Sequence, residues 1–206
     1  MRLVAARSTR HGLMVLAFFC FGCVSLERSF PDKRYFAIEV QESKPANPGN
    51  GQILSMSNFE ISPRYADREF VYRTSPTEYE SDFYNQFLTP PAVMITEETR
   101  KALASASGFK FVVGPSSALT PNYVLAGSIN ALYGDFRNPS APAAVLEIEI
   151  FLHNENPANP GIVLHKRYMK SVALKERSPE ALVTGWSQAL EGIIAMFTAD
   201  SEALKL

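Results

Sequence analysis

Residues Ala144–His153 alternate apolar and polar side chains more cleanly than any other stretch of the chain. Leu146, Ile148, Ile150 and Leu152 fall on one side, with Glu147 and Glu149 on the other. A strand repeats every two residues, so the pattern predicts a strand with one dry and one wet face. A sheet of that kind needs an apolar cover. The cover is written further along the chain. Ser178-Pro179-Glu180 puts together a capping hydroxyl, a proline at the first helical position and an acid at the positive end of the helix dipole. Leu182, Trp186, Ala189, Leu190, Ile193, Ile194 and Phe197 then recur as one apolar stripe.

The remaining elements follow from the same two periods. A long strand is predicted over 122–136, with Tyr123, Leu125, Gly127, Ile129, Ala131 and Tyr133 on one side. Another is predicted over 163–173, so three consecutive strands joined by short loops argue for an antiparallel meander. Upstream, strands are expected over 33–40, 52–61 and 109–113. Glu69–Thr74 and Glu78–Phe83 flank the turn residues Ser75-Pro76-Thr77 and predict a hairpin. Thr89-Pro90-Pro91 opens a helical pattern over 92–107, with Gly108 as its stop. Ile95, Thr99, Ala102, Leu103 and Ala106 share its inner face, and Glu97, Glu98, Arg100 and Lys101 are expected outside. The fold class expected is α+β: a largely antiparallel sheet with two helices packed on one face, as a single domain over 33–206.

The first residues differ from the rest. Arg2, Arg7 and Arg10 form a positive head, and no acid precedes Glu27. The uncharged run Gly12–Leu26 is about fifteen residues long, short of the roughly 20 a spanning helix needs and right for a signal-peptide core. Cys23 ends that core and follows a small residue, Gly22, which resembles a bacterial lipoprotein box. In such a box the thiol is diacylated and the preceding peptide is cut. That implies a signal peptide over 1–22, a lipid attachment at Cys23 and a tether over 23–32. Cys20 and Phe21 depart from the usual box, so an ordinary cleaved signal and an uncleaved anchor stay open. Val24 rather than Asp after the cysteine implies, by analogy with enteric bacteria, the outer membrane. Cleavage would remove three arginines and no acid, moving the net charge from −1 to −4.

Chemistry is sparse. The near-zero charge gives no electrostatic footprint for nucleic acid. Two cysteines and three histidines supply almost no material for a zinc module, and no cofactor motif is present. Gly114-Pro115-Ser116-Ser117 lacks the lysine and spacing of a phosphate loop and reads as a turn. His153 and His165 lie on separate strands and read as surface histidines. Glu147 and Glu149 share one strand face, as a carboxylate pair would, but their alternation reads as a solvent or partner face. No catalytic set is assembled, and the chain reads as a non-enzyme.

The stretch Phe59–Leu103 is distinctive, with Pro63, Tyr65, Asp67, Arg68, Tyr72 and Arg73 followed by Tyr79–Pro91. Together with Tyr35-Phe36-Ala37, Tyr123–Gly127 and Leu132–Phe136, it resembles the ABC-type transport auxiliary lipoprotein family across nearly the whole mature chain. The resemblance implies a Gram-negative periplasmic lipoprotein that accompanies an MCE-domain (mammalian-cell-entry-type) protein and an ABC permease and ATPase in moving lipids between membranes. It implies a non-catalytic docking role at the outer membrane, and leaves room for a homo-oligomer. Tyr79, Phe83, Tyr84 and Phe87 are the candidate partner contact, because aromatics with a polar handle suit interfaces, although core packing would place them equally well. A lipid carrier enclosing an acyl chain is the alternative, with an envelope hydrolase behind it.

Overall fold

The alternating stretch is the middle strand of a three-strand meander. In the computed structural model, which describes residues 32–41, 51–106 and 108–204, nine strands and two helices follow one another. They are β1 (Arg34–Phe36), β2 (Ile53–Met56), β3 (Glu60–Ile61), β4 (Glu69–Arg73), β5 (Tyr79–Phe87), α1 (Pro91–Ala106), β6 (Phe111–Val113), β7 (Tyr123–Asp135), β8 (Ala143–Asn154), β9 (Gly161–Ala173) and α2 (Pro179–Ala203), with a 3-10 turn at Pro63–Tyr65. β8 pairs antiparallel with β7 on one side and β9 on the other. The far edge of β7 takes three short strands end to end, all parallel to it: β2 beside Tyr123–Leu125, β3 beside Ser128 and Ile129, and β4 beside Gly134 and Asp135. Beyond them the sheet forks. One arm runs from β2 to β6, the other from β4 through β5 to β1. The class is α+β with a mixed sheet, in which the long pairings are antiparallel and the short ones parallel.

The helices cover the dry face. Leu146, Ile148, Ile150 and Leu152 are buried, together with every residue of the expected stripe on α2. Ser178 caps α2 as its sequence requires, its Oγ accepting from the Ala181 amide at 3.1 Å. Trp186 is fully buried, stands edge-on to Phe70 at 5.1 Å, and donates its indole N–H to the Val145 carbonyl at 3.2 Å.

Three departures from the simple period decide what faces where. Asn130 is an extra residue in β7, a bulge against β8. One inserted residue flips every side chain beyond it. Leu132 and Gly134 therefore point to the core, while Ala131 and Tyr133, expected there, are only partly buried at its margin, where Tyr133 stacks on the buried Tyr65. The strand expected over 52–61 breaks in the same way. Leu54 and Met56 are buried, then the chain leaves the sheet so that Phe59 enters the core over Gly127. The Phe59 amide, lost to the ladder, donates to Thr96 Oγ1 at 3.0 Å.

The third departure is at the first strand, which ends at Phe36 rather than near Val40. Residues Ile38–Gln41 instead run between the helices. Successive amides of an extended chain point to opposite sides, and here they alternate between helices. Ile38 donates to Met94 Sδ of α1, Glu39 to Ser187 Oγ of α2, Val40 to Glu98 Oε2 of α1, and Gln41 to Glu191 Oε1 of α2. Glu98, expected outside, is therefore only 8% exposed, because it is the acceptor for this strap.

Gly185 sets how closely α2 can lie on the sheet. A Cβ there would stand 2.6 Å from Ala144 Cβ and 2.7 Å from Leu174 Cδ2. Gly185→Ala gains about 1 kcal/mol of helix propensity, yet overpacking costs roughly 1–3 kcal/mol. The Ala144 Cβ cannot swing aside, so a net loss of stability is expected in urea unfolding. Trp186→Ala should lose more, about 3–5 kcal/mol. A Gly185→Ala chain as stable as the original would contradict the close approach.

Candidate functional site

The outer edge of the β4–β5–β1 arm is built around one carboxylate. β4 and β5 pair in register from Arg73↔Tyr79 to Phe70↔Asp82, and the next pair is Glu69↔Gln86. Phe83, Tyr84 and Asn85 therefore have no counterpart on β4 and form a wide bulge. Asp82 holds it. Its Oδ1 accepts from the amides of Tyr84 at 2.9 Å and Asn85 at 3.0 Å. Its Oδ2 accepts from the Tyr72 hydroxyl at 2.6 Å and Asn85 Nδ2 at 2.7 Å. Gln86 Nε2 closes the loop on the Phe83 carbonyl at 3.0 Å. Asn85 Oδ1 accepts from Arg34 Nε at 3.0 Å, and Arg34 also pairs with Glu180 at 2.7 Å, so the bulge is tied to β1 and to the start of α2. Burial pushes the Asp82 carboxyl upward, but the bonds from Tyr72 and Asn85 outweigh it and hold it below the usual carboxylate range. Burial and the same carboxylate push the Tyr72 hydroxyl up.

The bulge presents Phe83, which is 60% exposed. Lys33 Nζ lies 3.8 Å over its ring, and Tyr84 meets it edge-on at 5.3 Å. The other two aromatics of the expected contact go elsewhere. Phe87 is 2% exposed, packed 4.7 Å from Phe70 and 5.3 Å from Trp186. Tyr79 is half-buried at the far end of β5, where it meets Tyr133 at 6.0 Å and Arg64 at 4.6 Å. The structure thus brings Phe83 and Tyr84 together and separates Tyr79 and Phe87 from them. Sequence reasoning missed Tyr35, which is 51% exposed under the Arg68 guanidinium at 5.1 Å. The spacing of Lys33 and Tyr35 on one strand face was the available signal. Cys23 lies outside the described residues.

The wet face of the meander carries the titratable side chains. Glu149 takes His165 Nε2 at 2.8 Å and Asn130 Nδ2 at 3.4 Å. These two contacts hold its carboxyl below the usual range. Arg167 reaches Glu147 at 3.4 Å and Glu149 at 3.8 Å. His165 stacks on Phe151 at 4.2 Å, and His153 sits across from Ile162, so the two histidines do not face each other. Gly114–Ser117 is a turn closed by Ser117 N on the Gly114 carbonyl at 3.2 Å. Among the described residues no three His, Cys, Asp or Glu side chains converge on a metal position, and no helix is long and apolar enough to cross a membrane. Two grooves flank the strap, about 610 Å³ beside Ala102 and Ile194 and about 680 Å³ beside Val183 and Ser187.

Asp82 gives the bulge a pH signature. Its carboxyl is depressed in the folded state, so its contribution is full above the ordinary carboxylate range and is lost as pH falls through the folded value, below about pH 4. Asp82→Ala should cost about 1–3 kcal/mol at neutral pH. The difference from the unchanged protein should narrow on acidification. A gap that stays constant from neutrality to strong acid would contradict this account.

The sequence matches the model of a family described as ABC-type transport auxiliary lipoprotein component over residues 36–195. No curated protein matches it. Among solved structures, a Xanthomonas campestris protein of the DUF330 family superposes with a TM-score of 0.73 at 16% identity, over 84% of this chain and 96% of that one. An uncharacterized protein superposes at 0.66 with 16% identity, over 82% and 98%. The hypothetical protein CT253 of Chlamydia trachomatis does so at 0.52 with 11% identity, over 75% and 97%. At such identities the likeness is one of fold. The family match is different in kind, since it runs from the end of β1 into α2 and takes in β2 to β9, α1 and the larger part of α2. The chain belongs to the family of ABC-type transport auxiliary lipoprotein components.

Proposed function

We propose that the protein is a lipid-anchored, non-catalytic docking component of an ABC transport system with an MCE-domain partner, moving lipids across a Gram-negative envelope. In this reading the segment 1–22 is removed and Cys23 is acylated. The domain then faces the periplasm from the outer membrane and acts by contact with the MCE protein and the permease and ATPase behind it. The observation that carries the reading is the family match over residues 36–195, which covers the folded body that follows the Gly22-Cys23 pair. The chemistry of the wet face agrees with it. Glu147, Glu149, His165 and Arg167 engage one another rather than a cleft, as in a component that works by contact. Of the aromatics expected at a partner contact, only Phe83 and Tyr84 stand together on the bulge, so whatever surface this edge meets is met by them.

Two experiments test this. Cys23→Ser should abolish incorporation of labelled fatty acid and release the domain from membranes; unchanged labelling would refute the attachment site. The unchanged protein, drawn from membranes that express the whole system, should bring an MCE protein with it. A clean preparation without one would contradict the proposed partnership.

A further inference from the structure

Two exposed aromatics on the β1–β5 edge each carry a cation on the ring face. Lys33 lies 3.8 Å over Phe83, and Arg68 lies 5.1 Å over Tyr35. Alternation along the first strand puts Lys33 and Tyr35 on one side of it, so the four side chains form a row: Phe83, Lys33, Tyr35, Arg68. Leu88, 57% exposed, extends this edge, its amide donating to the Phe36 carbonyl at 2.8 Å. Rings with long cationic side chains suit the headgroup level of a bilayer, where the ring sits among the upper acyl carbons and the cation reaches a phosphate.

The chain's own length says which surface is near. Eight residues lie between Cys23 and Asp32, and the nine steps from one to the other span at most about 30 Å when fully extended. With acyl groups at Cys23, Lys33 and Tyr35 follow directly on that tether. We propose that the surface met by the Phe83 bulge is the phospholipid bilayer that holds the anchor, so that the domain is fixed at two points and its orientation is set. This rests on the acylation of Cys23 proposed above and names the partner of the Phe83 contact. A tether alone leaves the domain free to rotate; the row of stacked cations and rings removes that freedom. The opposite arm of the fork, ending at β6, is then turned away from the lipid.

The test uses the whole protein as isolated from membranes, placed in vesicles of phosphatidylethanolamine and phosphatidylglycerol with and without brominated acyl chains. The single tryptophan, Trp186, is fully buried and serves as the internal reference. Phe83→Trp places a reporter on the bulge, and Phe111→Trp places one on β6, where Phe111 is 47% exposed. Bromination should roughly halve the emission added by F83W and leave that of F111W and of the unchanged protein alone. A chain that fails to float with the vesicles overturns the acylation of Cys23, and this inference with it. A chain that floats while F83W stays unquenched overturns the bilayer contact alone. F83W emission that is shifted to the blue but unquenched marks a protein surface, a second copy included, and also overturns it. Equal quenching of F111W would show a domain lying on the lipid without the proposed orientation.

Discussion

Burial of Trp186 joins parts of the sheet that would otherwise move independently. Its ring packs against Phe70 of β4 and Phe87 of β5, and its N–H holds the Val145 carbonyl of β8. One side chain of α2 therefore clamps the forked arm to the meander. The fork needs this. β4 pairs with β7 at only Tyr72 and Arg73, and the ladder of β1 is with β5 alone. Short parallel pairings of that kind contribute little by themselves, whereas a buried Trp with two ring partners brings both area and geometry. Arg34, Asn85 and Glu180 repeat the clamp at the surface, from β1 to the first turn of α2.

The strap between the helices belongs to the same logic. Residues Ile38–Gln41 arrive from β1 and give four successive amides to side chains on α1 and α2. An extended segment without a ladder, buried at Ile38 and half-buried at Val40, must find its acceptors elsewhere. Met94, Glu98, Ser187 and Glu191 supply them and in doing so hold the helix pair together. The polar groups on the inner flanks of the helices therefore have structural work.

The long elements were legible in the sequence because one period dominated each of them. The alternation of β8, the stripe of α2 and the Ser178-Pro179-Glu180 start map directly onto the structure. What was not legible has two physical causes. Insertions change phase without changing composition: Asn130 turned Tyr133 out of the core, and the three residues after Asp82 turned Phe83 away from Phe87. Nothing local marks such a residue as extra until its partner strand is in place. The second cause is distance along the chain. β2, β3 and β4 each pair with β7 from far upstream, and Glu98 is drawn inward by a strap from β1. For the candidate site, the aromatic run around residue 83 was visible, but its division into core and surface was set by the Asp82 bulge. Tyr35 joined the site only through pairing of β1 with β5.

A sheet clamped by α2, with exposed aromatics on β1 and β5, suits the membrane-held docking component proposed here. The account stands on the covalent state of the mature amino terminus. Intact-mass analysis of the native chain extracted from membranes tests it most directly. The account predicts a polypeptide beginning at Cys23 whose excess mass equals its acyl groups. A chain recovered with Met1 in place, or cut elsewhere and unmodified, would contradict it.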